Sequence, residues 1–344
     1  MLDDLRTTDG PLRRAVRGTV TLLALLTLWA PALFAQGALP SNAAEAIERG
    51  ERLMEEALAT YDAQYPDRPL WQQAFREGRN AVDLAPGRPE PLRFLAEAYS
   101  RANWPGPAVR TWEQFIAAGG ELDDEAEELY VTAANANAYA AYEQGNLQLA
   151  AEMYLRVTQN VPTNLEAHRW LGRILLEAGR PEQAVAAWQT VVELDPADRG
   201  ARYFLDLARA QARWGTEAAT AFFEGVAAYE AGDMTQARNA FAVATARNAD
   251  YAEAWAWLGR VAFERGDYQD ALTAYTRASE LEPSNTTYAW FRQESQRLAG
   301  GGATPASDDA DDADGTDDGA DEGSPTDGIG VTPPATDPGA AQDD

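Results

Sequence analysis

Residues 165–198 and 252–285 are two copies of one 34-residue unit. Laid over each other, LEAHRWLGRILLEAGRPEQAVAAWQTVVELDPAD and AEAWAWLGRVAFERGDYQDALTAYTRASELEPSN agree at 13 of 34 positions, among them Trp170/Trp257, Leu171/Leu258, Gly172/Gly259, Gly179/Gly266, Ala184/Ala271 and Pro196/Pro283. A chain with a fixed period of this length folds as a row of like pieces, each burying its apolar face against the next. The shared residues describe two antiparallel helices. Leu171, Gly172 and Leu175 fall on one face of a first helix. Gly172 lets the neighbouring helix come close, and Gly179 ends the first helix in a left-handed conformation that costs glycine little. Ala184 admits close approach within the pair, Trp188 and Val191 fill the space beside it, and Pro196 stops the second helix.

The unit recurs at 131–164 and 218–251, each directly before one of the good copies. Gly145, Ala150, Tyr154 and Pro162 keep the pattern in the first of these, and Gly232, Ala237 and Phe241 in the second, where Ala249-Asp250 replaces the proline. A further unit fits 89–122, and a degenerate one fits 55–88, where Ala74, Ala81 and Pro86 fall in phase. A 34-residue unit with these features resembles the tetratricopeptide repeat (TPR), and the resemblance covers nearly all of residues 44–299. It implies an all-α fold, a right-handed superhelical solenoid of antiparallel helix pairs whose first helices line a concave face.

A longer period is superposed on the short one. Units 131–164 and 165–198 are followed by RGARYFLDLARAQARWG, and units 218–251 and 252–285 by TTYAWFRQESQRLAG, so a block of two pairs plus one extra helix repeats at an offset of 87 residues. The helix at 199–213 is expected to bend or offset the array, and the helix at 286–298 to cap it. Two first helices look extended, from about Asn42 to Tyr61 and from about Asp123 to Gln144, with Asp123 and Asp124 suited to the capping end. The expected organisation is a leader at 1–38, degenerate helices at 42–122, a pair plus an extra helix at 123–215, a pair plus a cap at 216–299, and a tail at 300–344.

The flanks differ from the body. Arg6, Arg13, Arg14 and Arg17 precede the uncharged stretch Thr19 to Ala35, which fits an export signal. Cleavage after Ala35 or after Gly37 is open, and so is retention of the stretch as a membrane anchor. Beyond Gly300 the chain holds 13 acidic residues and no basic or aromatic ones. It cannot bury enough apolar area to offset its ordering entropy, so a disordered acidic tail is expected. A calcium loop fails there, since Ala310 occupies the first ligand place and no Glu closes it. The tail reads as a solvating spacer, or as a segment long enough to reach the groove of its own chain.

Composition excludes several classes of function. With 55 acidic against 28 basic residues, and a net charge of −27, a nucleic-acid surface is not expected. The chain has no Cys and one His, which removes disulfides, thiolate sites and multi-histidine metal centres, so no metal or cofactor is expected. His168 stands where the matching unit has Trp255 and reads as structural. Glu127 and Glu128 fall on polar helix faces, the Trp residues sit at repeat-phased packing positions, and no phosphate-binding glycine loop exists. The expectation is a non-enzymatic protein.

What remains is binding. The TPR resemblance assigns groove-facing roles to set places of each unit, which here hold Arg93, Asn135, Tyr139, Tyr142, Arg169, Arg173, Phe222, Tyr229, Arg260 and Phe263. Arginine offers a planar fork for carboxylates, and the aromatic rings offer apolar area at low ordering cost. That mix suits a protein or peptide partner with an acidic group or a free C-terminus. Arg173–Glu177 and Arg260–Glu264 equally fit ordinary i,i+4 ion pairs. The expected role is an exported scaffold or adaptor of the cell envelope, in the periplasm, at the cell surface or secreted, and in the membrane only if the leader is retained. Absence of Lys beside plentiful Arg and Ala points toward a GC-rich bacterial genome. The competing reading is an exported glycan- or peptidoglycan-binding protein, or an accessory subunit of an envelope enzyme.

Overall fold

Prolines and short polar side chains punctuate the body into fourteen helices. A computed structural model describes residues 37–301, so the leader and the acidic tail lie outside the described residues. In order the helices are α1 (Ser41–Thr60), α2 (Pro69–Leu84), α3 (Pro89–Arg101), α4 (Pro105–Ala117), α5 (Asp124–Glu143), α6 (Leu147–Asn160) and α7 (Leu165–Glu177), then α8 (Pro181–Leu194), α9 (Arg199–Trp214), α10 (Thr216–Glu230), α11 (Met234–Arg247), α12 (Ala252–Glu264), α13 (Tyr268–Leu281) and α14 (Thr286–Ala299). No strand occurs among the described residues. Four helices open on proline, at Pro69, Pro89, Pro105 and Pro181, where the missing N–H is not needed and φ is already helical. Six others are capped by a side chain that accepts a backbone N–H three residues on: Asp123, Asn146, Asn164, Asp198, Asp233 and Asn285. These caps keep the sequence periods, Asn164 to Asp198 being 34 residues and Asn146 to Asp233 being 87.

Each helix packs mainly on its neighbours in sequence, and the first helices α1, α3 and α5 also touch one another. The result is an α-solenoid of stacked antiparallel pairs. The two extended first helices are present, α1 at Ser41–Thr60 and α5 at Asp124–Glu143, with Asp123 capping the latter through Ala126 N at 3.0 Å. Gly145, Gly179, Gly232 and Gly266 turn the chain inside four pairs, with φ between 67° and 80°. Asn103 takes the same left-handed place between α3 and α4 at φ 54°, a conformation asparagine tolerates.

The core is a strip that runs along the array. Five of its large rings hold one repeated place in five of the pairs: Trp112, Tyr154, Trp188, Phe241 and Tyr275 are all at most 4% exposed. Each comes from a second helix and lies 16 residues after a small residue of the preceding first helix (Ala96, Ala138, Gly172, Gly225 and Gly259). The small residue makes room for the ring. Burying one such side chain removes about 150–250 Å² from water, on the order of 4–6 kcal/mol before ordering entropy.

The extra helix α9 joins two stretches of core. Ala201, Leu205 and Ala208 complete the cluster built by α1–α8, while Tyr203, Leu207, Ala210 and Trp214 pack against the cluster of α10–α12. It needs no second helix because both of its faces are already covered. Gly215 then serves at once as C-cap of α9 and N-cap of α10, at φ 90° and ψ 149°. Trp214 stacks on Tyr251 at 4.8 Å and accepts a bond from Asn248 through its carbonyl at 2.9 Å, which fixes the join. At the far end Phe291 of α14 stacks on Tyr275 at 4.9 Å, closing the last cluster, yet the cap leaves Trp290 52% exposed.

Candidate functional site

The first helices α5 and α7 bring three aromatic residues to one surface. Tyr139 and Tyr142 of α5 each stand 5.5 Å from the ring of Trp170 on α7, and 6.2 Å from each other. Tyr154 of α6 stacks on the inner side of Trp170 at 6.0 Å, so the indole is held from below and only half-buried. Tyr139 is 43% exposed, unusual for an aromatic residue flanked by others. One turn back on the same face of α5, Asn135 is half-buried and its Oδ1 has no hydrogen-bond partner. Arg173 lies over Trp170 at 5.5 Å, and no carboxylate pairs with it among the described residues. The Tyr142 hydroxyl donates to Glu177 at 3.0 Å, a bond that, with some burial, raises the tyrosine pKa.

The same constellation returns 87 residues on, in a closed form. Tyr229, Trp257, Arg260 and Glu264 repeat Tyr142, Trp170, Arg173 and Glu177. Here the guanidinium of Arg260 stands 5.1 Å from Tyr229 and 5.2 Å from Trp257, and its Nε donates to Glu264 at 3.1 Å. Tyr229 donates to the same carboxylate oxygen at 2.5 Å. Burial opposes the charge on Arg260, but Glu264 and Tyr229 outweigh it and raise its pKa. Trp257 is only 4% exposed. One copy of the cluster satisfies itself; the other leaves its arginine and its rings open.

The remaining expected groove residues are employed otherwise. Arg93 pairs with Glu97 at 2.7 Å and with Asp123 at 2.6 Å; Arg169 pairs with Asp198 at 2.7 Å. Both aspartates are N-caps, so these two arginines pin the starts of α5 and α9. Phe222 corrects the sequence expectation. It is 1% exposed and packed on Phe223, Phe241 and Tyr251, an apolar ring that fills the space between α10, α11 and the start of α12 instead of facing the groove. Phe263 is half-buried between Tyr268 and Phe291, at the seam with the cap. Of the two expected i,i+4 pairs, Arg260–Glu264 forms and Arg173–Glu177 does not.

Trp170 belongs to the open surface, although its repeat-phased place suggests packing alone. The signal was in the longer period: Tyr, Trp, Arg and Glu recur together at 87 residues, which packing by itself does not require. His168 is 9% exposed, with Nε2 at 3.0 Å from the Pro162 carbonyl, in keeping with a structural place. Among the described residues no group of three or more acidic or histidine side chains could hold a metal ion.

The tetratricopeptide repeat family model matches residues 135–199, 171–227 and 224–286. The chain contains tetratricopeptide repeats. The matched TPR region spans both open and closed clusters and the extra helix between them. TPR proteins are in general non-catalytic scaffolds that bind peptides or proteins. Solved structures similar to this chain include a TPR protein from Parabacteroides merdae (11% identity, covering 75% of this chain and 100% of that one, TM-score 0.32). Others are PilF of Pseudomonas aeruginosa (17%, 73% and 99%, TM-score 0.27) and YrrB, described as a TPR protein with an unusual peptide-binding site (18%, 63% and 97%, TM-score 0.27). No curated protein matches the sequence.

Proposed function

We propose that this TPR array is a non-enzymatic adaptor that binds a protein partner across the surface of α5 and α7. The observation that carries the reading is Arg173, exposed over Trp170 with no carboxylate paired to it among the described residues, while its duplicate Arg260 is held by Glu264. A guanidinium backed by an indole keeps its fork free for an incoming carboxylate. Tyr139 and Tyr142 beside it supply apolar area with few rotatable bonds to freeze. The partner is therefore a polypeptide that offers an aspartate, a glutamate or its own C-terminus, next to an apolar side chain. The basic and apolar N-terminal residues support a location outside the cytoplasm, and N-terminal sequencing of the mature protein tests this.

The test of the binding surface is photo-crosslinking in the native cell. A photoreactive amino acid at position 139 is expected to give discrete protein adducts that disappear with Arg173→Glu. The same amino acid at position 243, where Val243 is 47% exposed on α11, serves as the control. Adducts that survive Arg173→Glu, or that position 243 gives equally, overturn the reading.

A further inference from the structure

Stacking leaves clefts between successive second helices, on the side of the array opposite the first-helix groove. On α3 helical phase separates the two sides. Arg93 and Glu97 line a recess of the groove, while Leu92, Leu95 and Tyr99 floor the cleft between α2 and α4. The same cleft returns between α6 and α8 over α7, and between α11 and α13 over α12. Two places of the repeat line all three clefts, one from each wall. They hold Leu155 and Ala186 over α7, Ala242 and Thr273 over α12, and Arg79 and Arg110 over α3. Of the three, only the cleft over α3 carries charge at these places, and it carries the same sign on both walls.

Neither guanidinium forms an ion pair among the described residues. Arg79 has Asp83 four residues on, the spacing of an ordinary helical pair, yet it turns to the floor and donates to the Tyr99 hydroxyl at 3.1 Å. For Arg110 the nearest candidate is Glu113, three residues on, and that carboxylate is taken by Arg156 of α6 at 3.0 Å. Like charges on facing walls repel, and an apolar floor beneath them strengthens the repulsion. Leu92 and Leu95 form that floor and are themselves buried. The Tyr99 oxygen accepts from Arg79, so its own O–H remains to donate. Asp83 also stands on the wall, which leaves the cleft with one positive charge in excess.

We propose that the cleft between α2 and α4 is an anion site that holds one carboxylate side chain of a partner polypeptide between Arg79 and Arg110. The excess of one charge matches a single carboxylate, whereas a phosphate ester carries close to two at neutral pH. The second block makes the same kind of contact from its own residues. In the equivalent cleft Arg238 of α11 crosses to Asp270 of α13 at 3.0 Å, and the place of Asp270 is held over α3 by Pro107. Two guanidinium forks offer parallel N–H donors that suit the two oxygens of a carboxylate. The cleft measures about 330 Å³, room for one side chain and the backbone beside it. Val82 and Pro107 border it, so aliphatic neighbours of the carboxylate fit there better than the hydroxyls of an acidic sugar. The site is separate from the α5–α7 surface and does not depend on that reading.

The experiment labels the full chain with ¹⁵N-arginine and titrates it with the peptide Ac-Leu-Glu-Leu-NH₂, following the Nε–H resonances of Arg79 and Arg110. Both are expected to shift saturably with one shared dissociation constant. The neutral peptide Ac-Leu-Gln-Leu-NH₂, of the same shape, is expected to bind about tenfold more weakly. Arg110→Gln breaks no ion pair of the described residues, so the thermal midpoint is expected to hold while affinity read at Arg79 falls about tenfold. Gln114→Glu places a carboxylate on the cleft wall and is expected to block the peptide. Equal binding of the neutral peptide, separate constants for the two arginines, or full affinity in Arg110→Gln overturns the proposal. Inorganic phosphate or glucuronate that shifts both resonances at lower concentration than the glutamate peptide overturns the assignment to a polypeptide carboxylate.

Discussion

The backbone of Gly172 lies against the indole of Trp188 so closely that a β-carbon there would sit 2.6 Å from Nε1. The indole cannot withdraw, because Phe204 of α9 stacks on its other side at 4.8 Å and the ring is 4% exposed. Gly172→Ala gains up to about 1 kcal/mol of helix propensity and loses about 1–3 kcal/mol to overpacking. The expected net effect is destabilising, read from the midpoint of urea unfolding. Gly225→Ala against Phe241 and Gly259→Ala against Tyr275 are expected to behave alike, since their β-carbons would meet those rings at 2.7 and 2.8 Å. Adding Trp188→Phe to Gly172→Ala frees part of the contested space. The double variant is then expected to lose less than the sum of the two single losses.

Gly215 is the residue that lets a lone helix enter the array. At φ 90° and ψ 149° it sits in a region that other residues avoid, with no neighbouring atom within 4 Å of a β-carbon. Gly215→Ala therefore strains the backbone without any clash, at a cost of about 1–3 kcal/mol. Gly179→Ala, at φ 67° in the ordinary left-handed region, is expected to cost less, about 1 kcal/mol. Equal losses by calorimetry would show that the α9–α10 join relaxes to another geometry.

Arg169 and Asp198 couple one repeat to the next through a cap. Burial disfavours the Asp198 carboxylate, but the N–H of Ala201 and the Arg169 guanidinium outweigh it and hold its pKa below the ordinary range. A depressed carboxyl pKa contributes stability that is fully present above the unfolded value of about 4 and is lost as the pH falls through the folded value. Asp198→Asn keeps a good cap and removes the charge. The stability gap between wild type and this variant is expected to be present at pH 7 and to close below about pH 4, as followed by urea unfolding across pH. A gap that stays constant with pH means that the ion pair contributes nothing.

The open and closed clusters separate stability from binding. Arg260→Ala removes a guanidinium that touches Glu264, Tyr229 and Trp257, so a loss of about 1–2 kcal/mol is expected. Arg173 lies on the face of Trp170 and makes no ion pair among the described residues, so Arg173→Ala is expected to stay within about 0.5 kcal/mol of wild type in thermal unfolding. Adducts from position 139 are expected to fall with Arg173→Ala and to persist with Arg260→Ala. The reverse order would place the partner at the second block.

The repeat made most of this fold legible. A 34-residue period leaves each helix pair with one apolar stripe and one set of turn residues, so Gly172, Gly179, Ala184 and Trp188 announce their roles by position. The same reasoning placed the extended α5 and the in-phase turns. It failed at Phe222, because position in the unit does not say how far an apolar ring is drawn inward, and this one packs on Phe241 and Tyr251. It also treated every arginine at a groove position as available. Arg93 and Arg169 are consumed by cap aspartates that lie 30 and 29 residues further on, a separation at which sequence pattern carries no pairing signal.

The amino-acid order alone settled that the chain stacks helix pairs, because an apolar stripe repeated at fixed intervals has no other way to leave water. The packing of the Trp188 ring on Gly172 came from the structure, since the repeat pattern alone placed that ring beside Ala184. Which arginine lies without an ion pair among the described residues and which tryptophan stays half-exposed were decided only in three dimensions. The spacing to the glutamate is four residues in both blocks, but Arg260 is held against Tyr229 and Trp257 and reaches Glu264, whereas Arg173 rests on Trp170 and does not reach Glu177.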